Sequence, residues 1–432
     1  TVTAAAGNGF RFCMDGQTPT IKPTIVYRDF SLYCTAAIGC GTGLASSLTQ
    51  STLPSRFLIE RVDVTYPPTT SYTWTNPVYV EDFAGGRIMD SRFTNPLVAN
   101  PAGSACVSLK AVDGGGASSE FTMFKSWCSG FMQGVYLDIA STANAEGLRF
   151  IANDFQRIND QFYLYNEGTT GNNQLEITDH QGQIYKSILT QQLGSTDTNT
   201  TGGWNGIHIR GGWFYWRAPD AYSGALTAAA NGVIDTRASS NIEITGMTVT
   251  GGSASLVGTD FIKTGSTKSR VDIHDNNFML LTGNPSNSWV NFDAATQDAR
   301  ERSNSFNMAA AVAMPGYATN VYQASDAYTF ANSSGKCRVV GMTRTLDTNA
   351  RKRVVRCSDS VVGTMASSNL AVTYPLAFTA TPYALQVTNG SYATCTSAFV
   401  ANNESATGFN AYAALAACAT STARVNYSVE GQ

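Results

Sequence analysis

Two stretches decide the fold: LEITDHQGQI (175–184) and IHIRGGWFYW (207–216). Each alternates apolar and polar residues for four positions, breaks at Asp or Gly, and resumes with an apolar residue. Period-two alternation is the signature of a strand with one buried face, because successive side chains point to opposite sides. Laid side by side, the stretches put Glu176 beside His208, Thr178 beside Arg210 and Asp179 beside Gly211.

The same shape recurs outward in both directions. It is found in IVYRDFSL (25–32), LIERVDVTY (58–66), IMDSRFTN (88–95), FTMFKSWC (121–128), FIANDFQRI (150–158), IEITGMTV (242–249) and VDIHDNNF (271–278), with starts 25 to 35 residues apart. Self-similarity at this period marks a stacked repeat architecture. Each unit is too short and too one-sided to bury its apolar face alone, so stacked units must share one core. Turn-rich segments such as VDGGGASS and NEGTTGNN separate the motifs, and no amphipathic helix lies between them. Asn-Gly hairpin pairs are scarce (231–232 and 389–390), which disfavours a sandwich or propeller here. The expected fold is all-β: a right-handed parallel β-helix over 25–306, entered through a cap or first partial rung at 1–24.

The repeat fades after Phe306. Residues 307–335 are small and polar and are expected to form a connection. From 336 to 432 the strand candidates lengthen, as in ARKRVVRCSD, YALQVTN and ARVNYSVEG, and fit a compact antiparallel β-sandwich.

The composition narrows the function. Charged residues are only 14% of the chain, against about a quarter in ordinary proteins, and the net charge is −3. Nothing here favours nucleic acid or an anionic membrane. No apolar run is long enough to span a bilayer. The three histidines have no ligand spacing with cysteine, so neither a metal nor another cofactor is expected. The nine cysteines are odd in number and include no CxxC pair, and are expected as buried thiols rather than a disulfide framework. The chain opens at Thr1, without Met or a signal peptide, and is expected to be a processed or truncated fragment.

Equivalent positions on stacked rungs lie about 4.8 Å apart, so motif alignment predicts neighbours. Ile207, Ile209, Ile242, Ile244, Val271 and Ile273 point inward. Glu176 and Asp179 on one rung, with Asp154 on the rung before, are expected to crowd together. His208 and Arg210 follow on the rung after. Carboxyls so close cannot all ionise cheaply, and a raised acid beside an ionised carboxylate suits glycoside hydrolysis. Asp at a bend also satisfies turn chemistry alone, which leaves a structural role open for Asp154. Trp213, Tyr215 and Trp216 form an aromatic cluster whose flat faces suit sugar rings. Tyr163, Tyr165 and Glu167 are expected to face the same side. A subunit interface is the competing use for such a cluster. No GxSxG elbow supports an esterase, whereas a polysaccharide lyase could use the same basic patch.

The C-terminal stretches YPLAFTATPYALQV (374–387), TGFNAYAAL (407–415) and ARVNYSVEG (423–431) resemble the terminal sandwich of tailed-bacteriophage tailspikes, and the β-helix repeats match that family in style. The resemblance implies a homotrimer, with a sandwich that trimerises and has a carbohydrate-binding role open to it. It implies attachment to a virion tail or baseplate through a module N-terminal to Thr1. It further implies binding and depolymerisation of a bacterial capsular polysaccharide or lipopolysaccharide O-antigen, usually by endo-glycosidic hydrolysis. A lyase and a non-catalytic adhesin are the alternatives. Family sites use two or three Asp/Glu residues, roles that Glu176, Asp179 and Asp154 are the candidates to fill.

Overall fold

A computed structural model describes residues 2–4, 9–13, 24–35, 40–47, 56–69, 71–112, 118–168, 171–198, 202–217, 220–221, 223, 232–252, 260–265, 270–282, 290–292, 299–308, 321–330, 337–344, 351–374, 378, 381–382, 384–389, 398–413, 418 and 422–431. The chain divides into two compact units, one running to Arg300 and one taking in Val321–Gln432.

The first unit is a parallel β-solenoid, and its strands form three ladders. The first ladder stacks Arg56–Thr65, Arg87–Met89, Thr122–Phe124, Ala145–Ile151, Asn172–Thr178, Trp204–Arg210, Ser240–Thr245 and Val271–His274, all parallel. The second includes Trp127–Ser129, the start of Asp154–Asn166, the start of Gln181–Leu193, Trp213–Trp216, Thr248–Gly252 and Asn277–Thr282. The third carries Trp74–Glu81, Ala105–Ala111, Gln133–Ile139 and the later halves of the two long strands. Strands Val2–Ala4 and Phe10–Cys13, within the expected cap, also pair in parallel with the following rung.

The corner between the first and second ladders is a column of left-handed residues. Asp90, Lys125, Ala152, Asp179 and Asp275 have φ between 47° and 56°, and Gly211 and Gly246 occupy the same corner at 67° and 68°. Asp tolerates this region better than most residues, and Gly reaches it without a Cβ penalty. Inside the corner, side chains replace the backbone bonds that the turn leaves unmade. Ser126 N donates to Asn153 Oδ1 (3.0 Å) and Asn153 Nδ2 donates to Met123 O (3.0 Å). Met247 N and Asn276 repeat the arrangement, at 3.0 Å to Oδ1 and 2.9 Å from Nδ2 to Ile244 O.

Inward residues stack in apolar columns, two of them on the first ladder. Ile207, Ile209, Ile242, Ile244, Val271 and Ile273 are all buried, as the alternation predicts. Phe214 is buried in register with Val249 and Phe278. Aromatic rings stack along the interior, with Phe121–Phe150 at 5.6 Å and Phe150–Phe162 at 5.0 Å.

The second unit contains antiparallel sheets. Cys337–Arg344, Arg351–Thr364, Thr422–Gly431 and Ala384–Asn389 form one sheet, and Asn369–Thr373, Gly408–Ala413 and Phe399–Asn402 form the other. Tyr427 on the first meets Phe409 on the second, with ring centres 5.5 Å apart. Strand Val321–Phe330 lies inside the stretch expected to be a connection.

The cysteines depart from the expectation of free thiols. Cys34–Cys40 and Cys106–Cys128 are disulfides with Cα separations of 5.8 and 6.0 Å, and Cys357 and Cys418 are also disulfide-bonded. Spacing hid the second pair because its members come from different ladders of successive rungs, Cys106 from the third ladder and Cys128 from the second ladder of the following rung.

Candidate functional site

On the outer face of the first ladder the register is Arg149, Glu176, His208, Glu243, Asp272. Two positions on, Arg210 pairs with Thr178 on one side and Thr245 on the other. Arg149 and His208 therefore flank Glu176, and Glu243 and Asp272 follow as two acidic residues on successive rungs. Glu176 lies 3.5 Å from Arg149 Nε and 4.0 Å from His208 Nδ1. Arg210 turns away from Glu176. It pairs with Glu243 at 2.6 Å and contacts His208 Nδ1 at 3.3 Å. His274 completes the row, 3.7 Å from Glu243 and 2.8 Å from Asp275. Burial acts to raise the Glu243 carboxyl, but its hydrogen bond and charge contact with Arg210, with His208 and His274 beside it, hold it below the usual carboxylate range.

The expected cluster of three acids does not form. Phe150 pairs with Met123 and Ile177, so it is the third residue of its rung, not the first. The outward neighbour of Glu176 is accordingly Arg149, and the corner residue beside Asp179 is Ala152 rather than Asp154. Asp154 instead opens the second ladder, paired with Trp127 and Gln181. Asp179 stands exposed at the corner at φ 50°, and its Oδ1 occupies the space a Cβ at Gly211 would need.

The second ladder carries the exposed rings. Trp127, Asp154, Gln181 and Trp213 follow one another in register, and Thr248 comes next. Trp127 is 38% exposed, Trp213 41% and Tyr215 39%. Trp213 and Tyr215 stack with centres 6.0 Å apart and planes 26° apart. Trp127 and Trp213 are separated by three inter-strand steps, about 14 Å, with Asp154 and Gln181 between them. Burial pushes the Asp154 carboxyl up, against the lowering effect of a hydrogen bond donated by Gln156. Past the row, Arg217 pairs with Asp220 at 2.8 Å, and Tyr185 donates to Asp220 at 3.0 Å.

Two expectations about the aromatics are corrected. Trp216 is 1% exposed, its ring packed 6.1 Å from Phe261, because alternation turns it inward. Tyr163, Tyr165 and Glu167 lie on or beside the third ladder, not with Trp213. There Tyr163 packs on Tyr136 at 5.8 Å, and Tyr165 donates to Glu167 at 3.2 Å. Asp138 lies on the same ladder. Its carboxyl is raised by burial, against Lys110, with Glu167 adding to the rise. Trp127 was not among the expected site residues. The signal was present, since it sits at the same offset in FTMFKSW as Trp213 does in IHIRGGW.

Among the described residues, no three His, Cys, Asp or Glu side chains converge as a metal-ligand set, and no helix is long and apolar enough to cross a membrane. These features define an all-β protein: a parallel solenoid with an exposed aromatic row beside a half-buried carboxyl, and a C-terminal antiparallel unit.

No family model matches the sequence, and no curated protein matches it. Among solved structures, the chain is similar to the tailspike protein gp49 from Pseudomonas phage LKA1, at 11% identity and a TM-score of 0.44, covering 94% of this chain and 67% of that one. It is similar to the tailspike gp61 of Pseudomonas phage phi297, at 13% identity and a TM-score of 0.41, covering 93% and 67%. It is also similar to a mutant tailspike protein of E. coli bacteriophage HK620 in complex with a pentasaccharide, at 12% identity and a TM-score of 0.37, covering 100% and 87%. All three are phage tailspike proteins.

Proposed function

We propose that this chain is a tailspike that acts in a virion tail, binding a bacterial surface polysaccharide along its solenoid and cutting it by endo-glycosidic hydrolysis. The observation that carries the reading is the row Trp127, Asp154, Gln181, Trp213. Two exposed indoles spanning several rungs suit an extended chain of sugar rings, whose faces are apolar and whose edges are polar. Asp154 keeps its proton above the usual carboxylate range, which suits it to protonate a glycosidic oxygen. Asp179, exposed at the adjoining corner, serves as the carboxylate that activates water or attacks the anomeric carbon. Glu176 is engaged by Arg149 and His208 and supports the neighbouring face. Homotrimer formation through the C-terminal unit belongs to the same proposal.

The test is incubation with purified bacterial surface polysaccharides, reading release of reducing ends. Asp154→Asn should lower release by about a hundredfold or more while binding persists. Release at the wild-type rate would remove Asp154 from the acid role. One observation favours a second reading, a non-catalytic adhesin: the three candidate acids are spread over two ladders and a corner. Wild-type protein that binds a polysaccharide without ever shortening it supports that alternative. Products absorbing in the near ultraviolet through a new double bond would indicate a lyase.

A further inference from the structure

The solenoid carries a recess at the leading edge of the first ladder, upstream of the charged row. We propose that this recess is a further glycan subsite and that it sets the substrate class, accepting uncharged sugar chains and rejecting carboxylated or phosphorylated ones. The proposal rests on the glycan reading above.

The recess arises from a second column of left-handed residues. Glu120, Gly147, Gln174, Gly206 and Asn241 stand at successive rungs with φ of 57°, 66°, 57°, 96° and 53°. Side chains alternate with glycines along this column. Every second rung therefore leaves a gap, and the gaps are about 10 Å apart at the inter-strand spacing. Beside it runs a column in register, Ser119, Glu146, Asn173, Asn205 and Ser240. All of these residues except Ser240 line a cleft of about 570 Å³, with His208 also in its wall.

The wall chemistry selects the ligand. Asn173, Gln174, Asn205 and Asn241 line the cleft, and an amide offers donors and acceptors at once. Their mutual contacts leave bonding capacity over: Asn205 Nδ2 donates to Asn173 Oδ1 at 3.4 Å, and Asn241 Nδ2 to Asn205 Oδ1 at 2.5 Å. Sugar hydroxyls and acetamido groups match such walls. The charged lining is Glu120 and Glu146, and among the described residues no Lys or Arg lines the cleft. Arg149, on the adjoining part of the ladder, is engaged by Glu176 at 3.5 Å. His208 lies 4.0 Å from Glu176 and 3.3 Å from Arg210, so both neighbours already engage its Nδ1. An anionic ligand would meet two carboxylates and, among the described residues, no lysine or arginine in the lining, in a recess where walls concentrate the field.

The test compares neutral bacterial surface oligosaccharides with their uronic-acid-bearing counterparts on one array. It uses wild type, the double variant Glu120→Gln/Glu146→Gln, the double variant Glu120→Lys/Glu146→Lys, and Trp213→Ala. Wild type should hold the neutral chains at least about tenfold more tightly. The Gln variant should narrow that gap and the Lys variant should reverse it. Equal wild-type binding of both classes overturns the proposal, as does a preference unchanged in both double variants. If Trp213→Ala loses binding while the cleft variants keep the wild-type pattern, this inference alone fails. If wild type retains no glycan of either class, the glycan reading falls with it.

Discussion

His180 makes the stability of the solenoid depend on pH in a way that can be worked from its surroundings. Its ring is fully buried at the inner corner, between Phe155 at 4.5 Å, Phe162 at 5.1 Å and Phe214 at 5.7 Å. Nε2 meets Gln161 Oε1 at 3.0 Å, while Nδ1 has no partner among the described residues. Burial without a compensating anion lowers its pKa from 6.5 to about 3. The unfolded chain therefore binds a proton that the folded chain refuses, throughout that window. Stability from this group is complete above the unfolded value and is lost as pH falls toward the folded one. The slope is about 1.4 kcal/mol per pH unit, so about 3 kcal/mol should be gone by about pH 4.5 and about 5 kcal/mol in all. The matching variant is His180→Asn, because Asn153 and Asn276 already fill equivalent corners and bond to the preceding rung. It will be less stable near neutrality, since a smaller side chain leaves space among the rings. Its loss of stability on acidification should nevertheless be shallower than that of wild type. Urea midpoints at about pH 7, about pH 5.5 and about pH 4.5 give the comparison. Parallel pH dependence in the two proteins refutes the reasoning.

Three further outcomes are expected. Trp213→Ala should weaken binding of a cleaved polysaccharide about tenfold by calorimetry, the scale of one aromatic contact. Unchanged affinity would place the ligand elsewhere. Gln156→Ala removes the hydrogen bond that opposes the rise of the Asp154 carboxyl, so the alkaline limb of the pH–rate profile should move to higher pH, because the acid stays protonated longer. A limb that stays in place or moves down would separate Asp154 from that titration. The paired change Cys106→Ser/Cys128→Ser opens a loop with a sequence separation of 22, which should cost about 3 kcal/mol in urea unfolding. An unchanged midpoint would show that the bridge adds nothing in solution.

Much of the first ladder was legible because its pairing repeats a local pattern. Glu176 beside His208 and Thr178 beside Arg210 follow from alternation and a sharp Gly or Asp corner, and the strands pair in that register. The position of Asp154 was not legible. A period-two pattern looks the same after a shift of two residues, since Leu148 and Phe150 are both apolar and both inward. Either could begin the rung, and the choice moves Asp154 from the corner to the next ladder. The error changed the chemistry, replacing a predicted acid cluster by Arg149 beside Glu176. Tyr163 was misplaced for a related reason. Strand Asp154–Asn166 turns within its own length, where its register breaks between Phe155 and Asp160, and composition does not mark that bend.

By itself the sequence determined that the chain is all-β, that its repeats stack in parallel, and which residues of each strand face the core. Those properties follow from alternation and spacing, which are local. The tertiary structure alone decided which outward residues share a face, which cysteines meet, and that a recess lined with amides and two glutamates opens at Glu120–Asn241. Those depend on inter-rung register and on where each rung turns, and both are set by the packing of neighbouring rungs.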